Sequence, residues 1–389
     1  MQFSKMAGSF EANIFSKLND KKIEYLSTGR EVFNFSVGSP DFPPDGHVIR
    51  ALCKAAQAPE NYAYSLADLP ELTRAVIDWY HRRYHVDLEP DEITSIYGSQ
   101  EGIAHIPFTI CDPGDTVLAP DPGYPIFCFG PFMASAKVVF TPLLKENHFL
   151  VDFDSIDREI ARKAKLIIVS YPSNPVSVKA DPEFYERLVH FCKKYDIIAL
   201  HDNAYSEIVM EGEPGISFLS IPGAKEVGIE VNSLSKTYNI PGCRISFALG
   251  NRELIGKIKK LRSQIDYGIF YPVQYAAIAA LNGPQDIVER NRKNYRQRRD
   301  ALCEGMRRIG WDVPDSEGTM FSWVPLPKGF TDSFDFTMKL IEQCGVIATP
   351  GISFGSRGEG FLRFALVLPP EKIRLALEKI EQSGLLQQA

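Results

Sequence analysis

The chain has 389 residues, 44% hydrophobic and 24% charged, so it can fill more than one core and is neither a disordered chain nor a small disulfide-stapled protein. Forty-three Lys and Arg against 49 Asp and Glu leave a formal net charge of −6, which argues against a nucleic-acid partner. Seven scattered cysteines, an odd number with no C-x-x-C pair, point to a reducing, cytoplasmic compartment.

The opening MQFSKMAGSFEANIFSKLNDKK holds no continuous apolar stretch, so no export leader is expected. No later segment reaches the roughly 18 uninterrupted apolar residues of a membrane helix, so no membrane association is expected. Residues 1–35 read as an arm that packs back onto a small domain or a partner. From about residue 92, β-branched runs alternate with helical patterns, the signature of a sheet with crossover helices. The strand candidates are 93–98, 115–120, 137–142, 165–172, 197–203, 228–235 and 244–250. Several are apolar without alternation, which predicts a mainly parallel sheet covered on both faces. Between two of them, PEFYERLVHFCKKY (182–195) spaces Phe184, Leu188 and Phe191 for one helix face, with proline at its start and lysines at its end. Helices are predicted over 252–266 and 285–309, the second bridging two domains. Strands at 320–327, 346–351 and 361–368, alternating with helices over 333–345 and 370–382, form an α+β unit. The expected division is an arm (1–35), a large domain (36–284) and a small domain (285–389).

The stretch SLSKTYNIPGCRISFALG (233–250) sets a lysine just after a predicted strand, between hydroxyls, with an arginine eight residues on. A buried lysine near cationic or apolar neighbours loses basicity and becomes a nucleophile able to form a Schiff base with an aldehyde. Ser233, Ser235 and Arg244 are the donors and the positive fork that a phosphate needs. The strands at 165–172 and 197–203 run into Asn174 and into Asp202 and Tyr205, at the carboxyl edge where parallel sheets bind ligands. SIYGSQEG (95–102) reads as strand, Gly98-Ser99 turn and helix start, which is an anion site.

This pattern, S-x-S-K, a short spacer and G-x-R-x-G, resembles the fold-type I pyridoxal-phosphate enzymes of the class I/II aminotransferase group. Ser233, Ser235, Lys236, Gly242 and Arg244 match, and Ser246 stands where the last glycine would be. The runs GSQEGIAH, SYPSNPVSVKA, HDNAYSEI and TPGISFG look most like the diaminopimelate aminotransferase-related branch and its alanine/aspartate relatives. The resemblance implies an α/β fold with a seven-stranded, mainly parallel sheet between helices plus a small α+β domain. It implies a homodimer with active sites at the subunit interface.

Carried over residue by residue, the resemblance gives Lys236 the Schiff base and the proton transfers, and Asp202 the pyridine nitrogen. Asn174 and Tyr205 meet the ring's phenolic oxygen, and Tyr124 in DPGYPIF stacks on the ring. Ser99, Gln100, Ser233, Ser235 and Arg244 hold the phosphate. Arg363, with Asn174 and the Gly38 backbone, takes the substrate α-carboxylate. Tyr64 reaches the phosphate of the neighbouring subunit, although Leu69 and Thr73 depart from the motif around it. Val176 and Ser177 replace the usual residues after Asn174-Pro175, so that turn must form without its glycine.

The implied activity moves an amino group between an L-amino acid and a 2-oxo acid, either LL-diaminopimelate/2-oxoglutarate-like or alanine/aspartate-like. The same scaffold also serves β-eliminating C–S lyases and pyridoxal-phosphate-binding regulators. A regulator would need an added DNA-binding module, for which the residues before Ser36 are too few. His81 and His85 lack a third ligand, so no metal is expected. GSRGEG (355–360) lacks the dinucleotide spacing, and no G-x-x-x-x-G-K-[ST] occurs. Cys243 reads as a packed neighbour of the phosphate site rather than a nucleophile.

Overall fold

A computed structural model describes residues 3–8, 14–27 and 29–387. In chain order its strands are β1 (Phe33–Asn34), β2 (Ile93–Ile96), β3 (Thr116–Asp121), β4 (Lys137–Pro142), β5 (Ala164–Ser170) and β6 (Ile198–Asp202). They continue with β7 (Gly228–Ser233), β8 (Ser246–Gly250), β9 (Phe321–Pro325), β10 (Val346–Ile347), β11 (Thr349–Pro350) and β12 (Phe361–Ala365). Seven of them form the central sheet in the order β2-β8-β7-β6-β5-β3-β4. Each falls on one of the predicted runs, with β3 running one residue past the end of its run and β5 starting one residue before its own. β8 is antiparallel to both its neighbours and every other pairing between adjacent strands is parallel.

Successive residues of a strand face opposite sides, and here the two sides feed two cores. Leu166 and Ile168 of β5 pack with Val117, Leu200 and Val231 on one face. Ile167 and Val169 pack with Leu118, Ala199 and Leu249 on the other. This double covering explains why the central strands read as unbroken apolar runs. The edge strand β4 is the exception, with Phe140 exposed.

The crossover helix Pro182–Tyr195 shows how sequence sets an element. Asp181 caps it by accepting from the Phe184 N–H, Pro182 occupies the first turn, and Lys193 and Lys194 lie against the negative end of the dipole. Phe184, Leu188 and Phe191 are buried beneath the sheet.

A separate apolar cluster gathers Trp311, Val324, Phe336, Phe364 and Leu377 around the antiparallel sheet β11-β12-β9. Phe33 and Phe35 join this cluster, and β1 pairs in parallel with β10. The helix Asp286–Arg308 runs unbroken between the clusters, with Ile287 in one and Tyr295, Leu302 and Met306 in the other.

Two expected elements differ. The strand expected over 346–351 is two short strands on different sheets, β10 against β1 and β11 against β12, because the fully buried Ala348 sits where the chain passes from one to the other. The helix expected to reach residue 266 ends at Arg262, whose guanidinium turns to the Ser95 and Tyr267 carbonyls and closes the turn that follows.

Candidate active site

The carboxyl edge of the central sheet collects one group from each of five strands. β2 leads into the Gly98-Ser99-Gln100 turn, β3 into Tyr124, β5 into Asn174, β6 into Asp202 and Tyr205, and β7 into Lys236. Because β8 runs antiparallel to β7, the connection 234–245 begins and ends on the same edge, and this keeps Arg244 beside Lys236. Together with Gly38 and with Arg363 of β12, these side chains surround a cavity of about 450 Å³.

Local bonds fix the parts. The Ser233 hydroxyl accepts from the Ser235 N–H at 3.2 Å and starts the short helix Leu234–Thr237 that carries Lys236. Arg244 adopts a left-handed backbone, φ 53°, and its guanidinium donates to the Pro241 and Tyr97 carbonyls at 3.0 and 3.1 Å. That guanidinium occupies the space that a Cβ would take at Gly98, whose own φ is +91°. The Tyr124 hydroxyl donates to Gln100 at 2.8 Å.

Burial sets the charges. Desolvation, reinforced by the nearby cations Arg363 and Arg244, lowers the Lys236 amine to about 8, and its Nζ donates to the Gly38 carbonyl at 2.9 Å. Desolvation raises Asp202 to about 6, offset in part by His201 and the Ala204 N–H, and its Oδ1 is buried without a hydrogen-bond partner. Behind Asp202, His201 meets the fully buried Glu230 at 3.0 Å, and Glu230 also accepts from Tyr80, Ser217 and the Phe218 N–H. Arg363, 5% exposed, donates to Asn174 Oδ1 at 2.9 Å and to the Ser36 carbonyl at 3.1 Å. Its Nε is unpartnered, and burial brings the group down to about 10, so it remains a cation near neutrality.

Ser99, Gln100, Tyr124, Asn174, Asp202, Tyr205, Ser233, Ser235, Lys236, Arg244, Gly38 and Arg363 therefore all line one cavity. Tyr64 does not. It is 80% exposed, its ring tilted against that of Tyr267 with centroids 5.4 Å apart, and it lies away from the cavity of its own chain. The cavity residues not anticipated include Ser36, Phe321 and Phe354. The Phe321 and Phe354 rings lie 4.1 and 4.6 Å from the Arg363 guanidinium. The loop carrying Phe354 is held by Asp121, which accepts from the Ser356 hydroxyl and the Arg357 N–H.

The departures from the motif also have structural outcomes. Ser177 takes the left-handed conformation, φ 60°, that a glycine would adopt without strain, and its hydroxyl bonds Thr319 and the Phe321 carbonyl at 3.2 and 3.0 Å. Ser246 is fully buried on β8 opposite Ser233. Cys243 packs against the apolar core and is not among the cavity residues. His81 pairs with Asp87 at 2.8 Å on the exposed surface.

A lowered amine, a buried carboxylate with a free oxygen, and hydroxyls with a guanidinium at the far end match in kind the aldehyde, the ring nitrogen and the phosphate of pyridoxal phosphate. Comparison with known proteins agrees with this chemistry. The family model for aminotransferase class I and II matches residues 30–380. An LL-diaminopimelate aminotransferase of Halothermothrix orenii is 42% identical over 374 residues, 96% of this chain and 96% of that protein. Among solved structures, substrate-bound BacF of Bacillus subtilis superposes with a TM-score of 0.94 at 32% identity, covering 98% of each chain. A probable N-succinyldiaminopimelate aminotransferase of Thermus thermophilus superposes with a TM-score of 0.90 at 32% identity, covering 95% of this chain and all of that one.

The fold and the cavity chemistry are those of a fold-type I, pyridoxal-phosphate-dependent transaminase. The chain belongs to the aminotransferase class I and II family.

Proposed function

We propose that this aminotransferase uses Lys236 to bind the cofactor aldehyde and to move the α-proton, with Asp202 against the ring nitrogen. Ser233, Ser235, Arg244, Ser99 and Gln100 hold the phosphate. Tyr124 covers the ring, and Asn174 and Tyr205 meet its phenolic oxygen. Arg363, assisted by Asn174 and the Gly38 backbone, holds the substrate α-carboxylate. The observation that carries this reading is that Lys236, Asp202 and Arg363, drawn from separate parts of the chain, face one cavity.

Bound pyridoxal phosphate supplies an aldehyde to receive the amino group and a ring that withdraws electrons. The chain supplies the rest. With its amine near 8, Lys236 is neutral in roughly a tenth of molecules at pH 7, against about one in three thousand for an ordinary lysine. Lys236 would hold the cofactor aldehyde, and its amine, when free, would be the base placed to take the substrate α-proton and to pass it on within the cavity. Asp202, ionised above about pH 6, is the one carboxylate lining the cavity among the described residues and would keep a ring nitrogen protonated. The planar fork of Arg363, buttressed by two aromatic rings, fixes the carboxylate and therefore the direction of the α-C–H bond.

For the amino donor we propose LL-diaminopimelate with 2-oxoglutarate as the acceptor, the reading supported by relatives of that name at 39–43% identity over most of the chain. Alanine or aspartate is the second reading. The β-eliminating lyase and the regulator are not favoured, since the named relatives are aminotransferases.

We read Tyr64 as serving the site of a second copy, a homodimer supported by the exposed ring pairs Tyr62–Phe270 and Tyr64–Tyr267. We place the enzyme in the cytoplasm on the strength of its seven free cysteines; among the described residues no helix is long and apolar enough to cross a membrane. We divide the chain into an arm (1–35), a cofactor domain (36–284) and a carboxylate-binding domain (285–389).

The test is a panel of amino donors with 2-oxoglutarate, alongside detection of pyruvate and ammonia with no acceptor present. Glutamate formed from LL-diaminopimelate is the expected result. Ammonia released without an acceptor would overturn the transamination reading.

A further inference from the structure

The segment from Ser36 to Asp45 has no regular secondary structure, yet it supplies main-chain acceptors to two cations of the cavity, Lys236 and Arg363. The Ser36 carbonyl accepts from Arg363 at 3.1 Å and from Thr349 at 3.2 Å. The Gly38 carbonyl accepts from Lys236 at 2.9 Å. Gly38 lies so close to the Phe321 ring that a Cβ there would collide with it. A strap without ladder bonds of its own holds such positions only if it is anchored elsewhere.

The anchor lies outside the cavity. Both carboxylate oxygens of Asp41 accept from Arg298, Nη1 and Nη2 each at 2.7 Å, a bidentate pair. Arg298 projects from the middle of the Asp286–Arg308 helix and is 5% exposed. Its Nη1 also donates to the Leu366 carbonyl at 2.8 Å, and its guanidinium lies 4.2 Å from the centre of the Phe42 ring. Phe42 meets Tyr295 of the same helix edge-on at 5.4 Å. A second ion pair, Arg290 with Asp45 at 2.6 Å, is more exposed and contributes less. Neither Asp41 nor Arg298 touches the cavity, so both act through the strap.

We infer that Asp41 and Arg298 form a positioning clamp that ties the Ser36–Gly38 carbonyls, and with them Lys236 and Arg363, to the long helix. The inference rests on the reading of Arg363 and Lys236 given above. Without the clamp the strap slackens, and the cost falls on substrate binding. The proposed ring and phosphate anchors sit at the carboxyl edge of the central sheet, held by bonds that do not involve the strap, and stay in place.

The test compares D41N, R298K and the double variant D41N/R298K as loaded enzymes, with R363K as a reference. KM for the amino donor and the equilibrium dissociation constant for pyridoxal phosphate are measured for each. D41N is nearly isosteric; R298K keeps the charge and loses the fork. Each single variant is expected to raise KM roughly tenfold to a hundredfold, the range for a misplacement of about 1 Å. Cofactor affinity is expected to stay within about twofold, and the double variant to be no worse than the poorer single one, as for partners in one interaction. An unchanged KM in D41N, strictly additive effects, or cofactor affinity falling in step with KM would each overturn the clamp. If R298K does not fold, D41N paired with D41E decides, since D41E retains the charge and is expected to recover part of the loss. A raised KM in R363K beside silent clamp variants removes the clamp alone. Silence in all of them removes the site reading as well.

Discussion

Replacing Arg363 by lysine retains a cation at the end of β12 while removing the planar fork, and so separates charge from geometry in carboxylate recognition. In the structure the fork is held in place by Nη1 on Asn174 and Nη2 on Ser36, while Nε is buried without a partner. An ammonium cannot donate to two in-plane oxygens at once. Losing one charge-assisted hydrogen bond to a carboxylate costs about 1.5–3 kcal/mol. That corresponds to a fall in kcat/KM of roughly ten- to 150-fold. The Ser36 carbonyl or the Asn174 amide is also left short of a donor, which lowers folding stability by about 1–3 kcal/mol. Steady-state transamination with 2-oxoglutarate measures the first effect, and urea denaturation the second. The cofactor's absorbance should be that of the parent enzyme, because the proposed anchors of the ring and phosphate lie on the central sheet. A kcat/KM within about threefold of the parent would refute the assignment of Arg363 and the argument from its fork.

Uptake of pyridoxal phosphate by the apoenzyme should rise with pH through about 8, because burial favours the free amine of Lys236, and should fall below about 6, where Asp202 takes up a proton. A pH profile flat between 5 and 9 would contradict both shifts. Gly98→Ala forces a Cβ into the Arg244 guanidinium at a φ of +91° and should weaken cofactor binding, by about 1–3 kcal/mol of strain, in an equilibrium titration. Ser177→Ala keeps the left-handed strain and loses the hydroxyl bonds, so urea unfolding should show a loss of about 1–2 kcal/mol. Ser177→Gly should lose less, since glycine adopts φ 60° freely.

The elements and most of the cavity were legible in the sequence because their signals are local. Lys236, its flanking serines and Arg244 lie within a dozen residues, and the strand-to-turn patterns at Asn174 and Asp202 place both at one sheet edge. Strand direction carries no such signal. β8 is buried on both faces like the parallel-paired strands of the same sheet, so its apolar run does not reveal that it runs antiparallel. Phe321 and Phe354 follow the same logic. Each reads as a core aromatic, and only the fold brings the two rings against Arg363. Of the two, Phe354 carried a signal, its place in the S-F-G run before Arg363. The Asp41–Arg298 pair spans 257 positions, and no spacing rule links an acidic residue in a proline-rich strap to one arginine among many on a charged helix. Tyr64 lies outside the cavity of its own chain, so the role proposed for it depends on a second copy and has no local signal.

The central claim is that Lys236 is the residue that holds the cofactor. Borohydride reduction of the loaded enzyme, followed by proteolysis and mass spectrometry, tests it directly. The account predicts the reduced cofactor on the peptide containing Lys236, and its absence from K236A. A cofactor adduct on a different lysine, or one that persists in K236A, would contradict it.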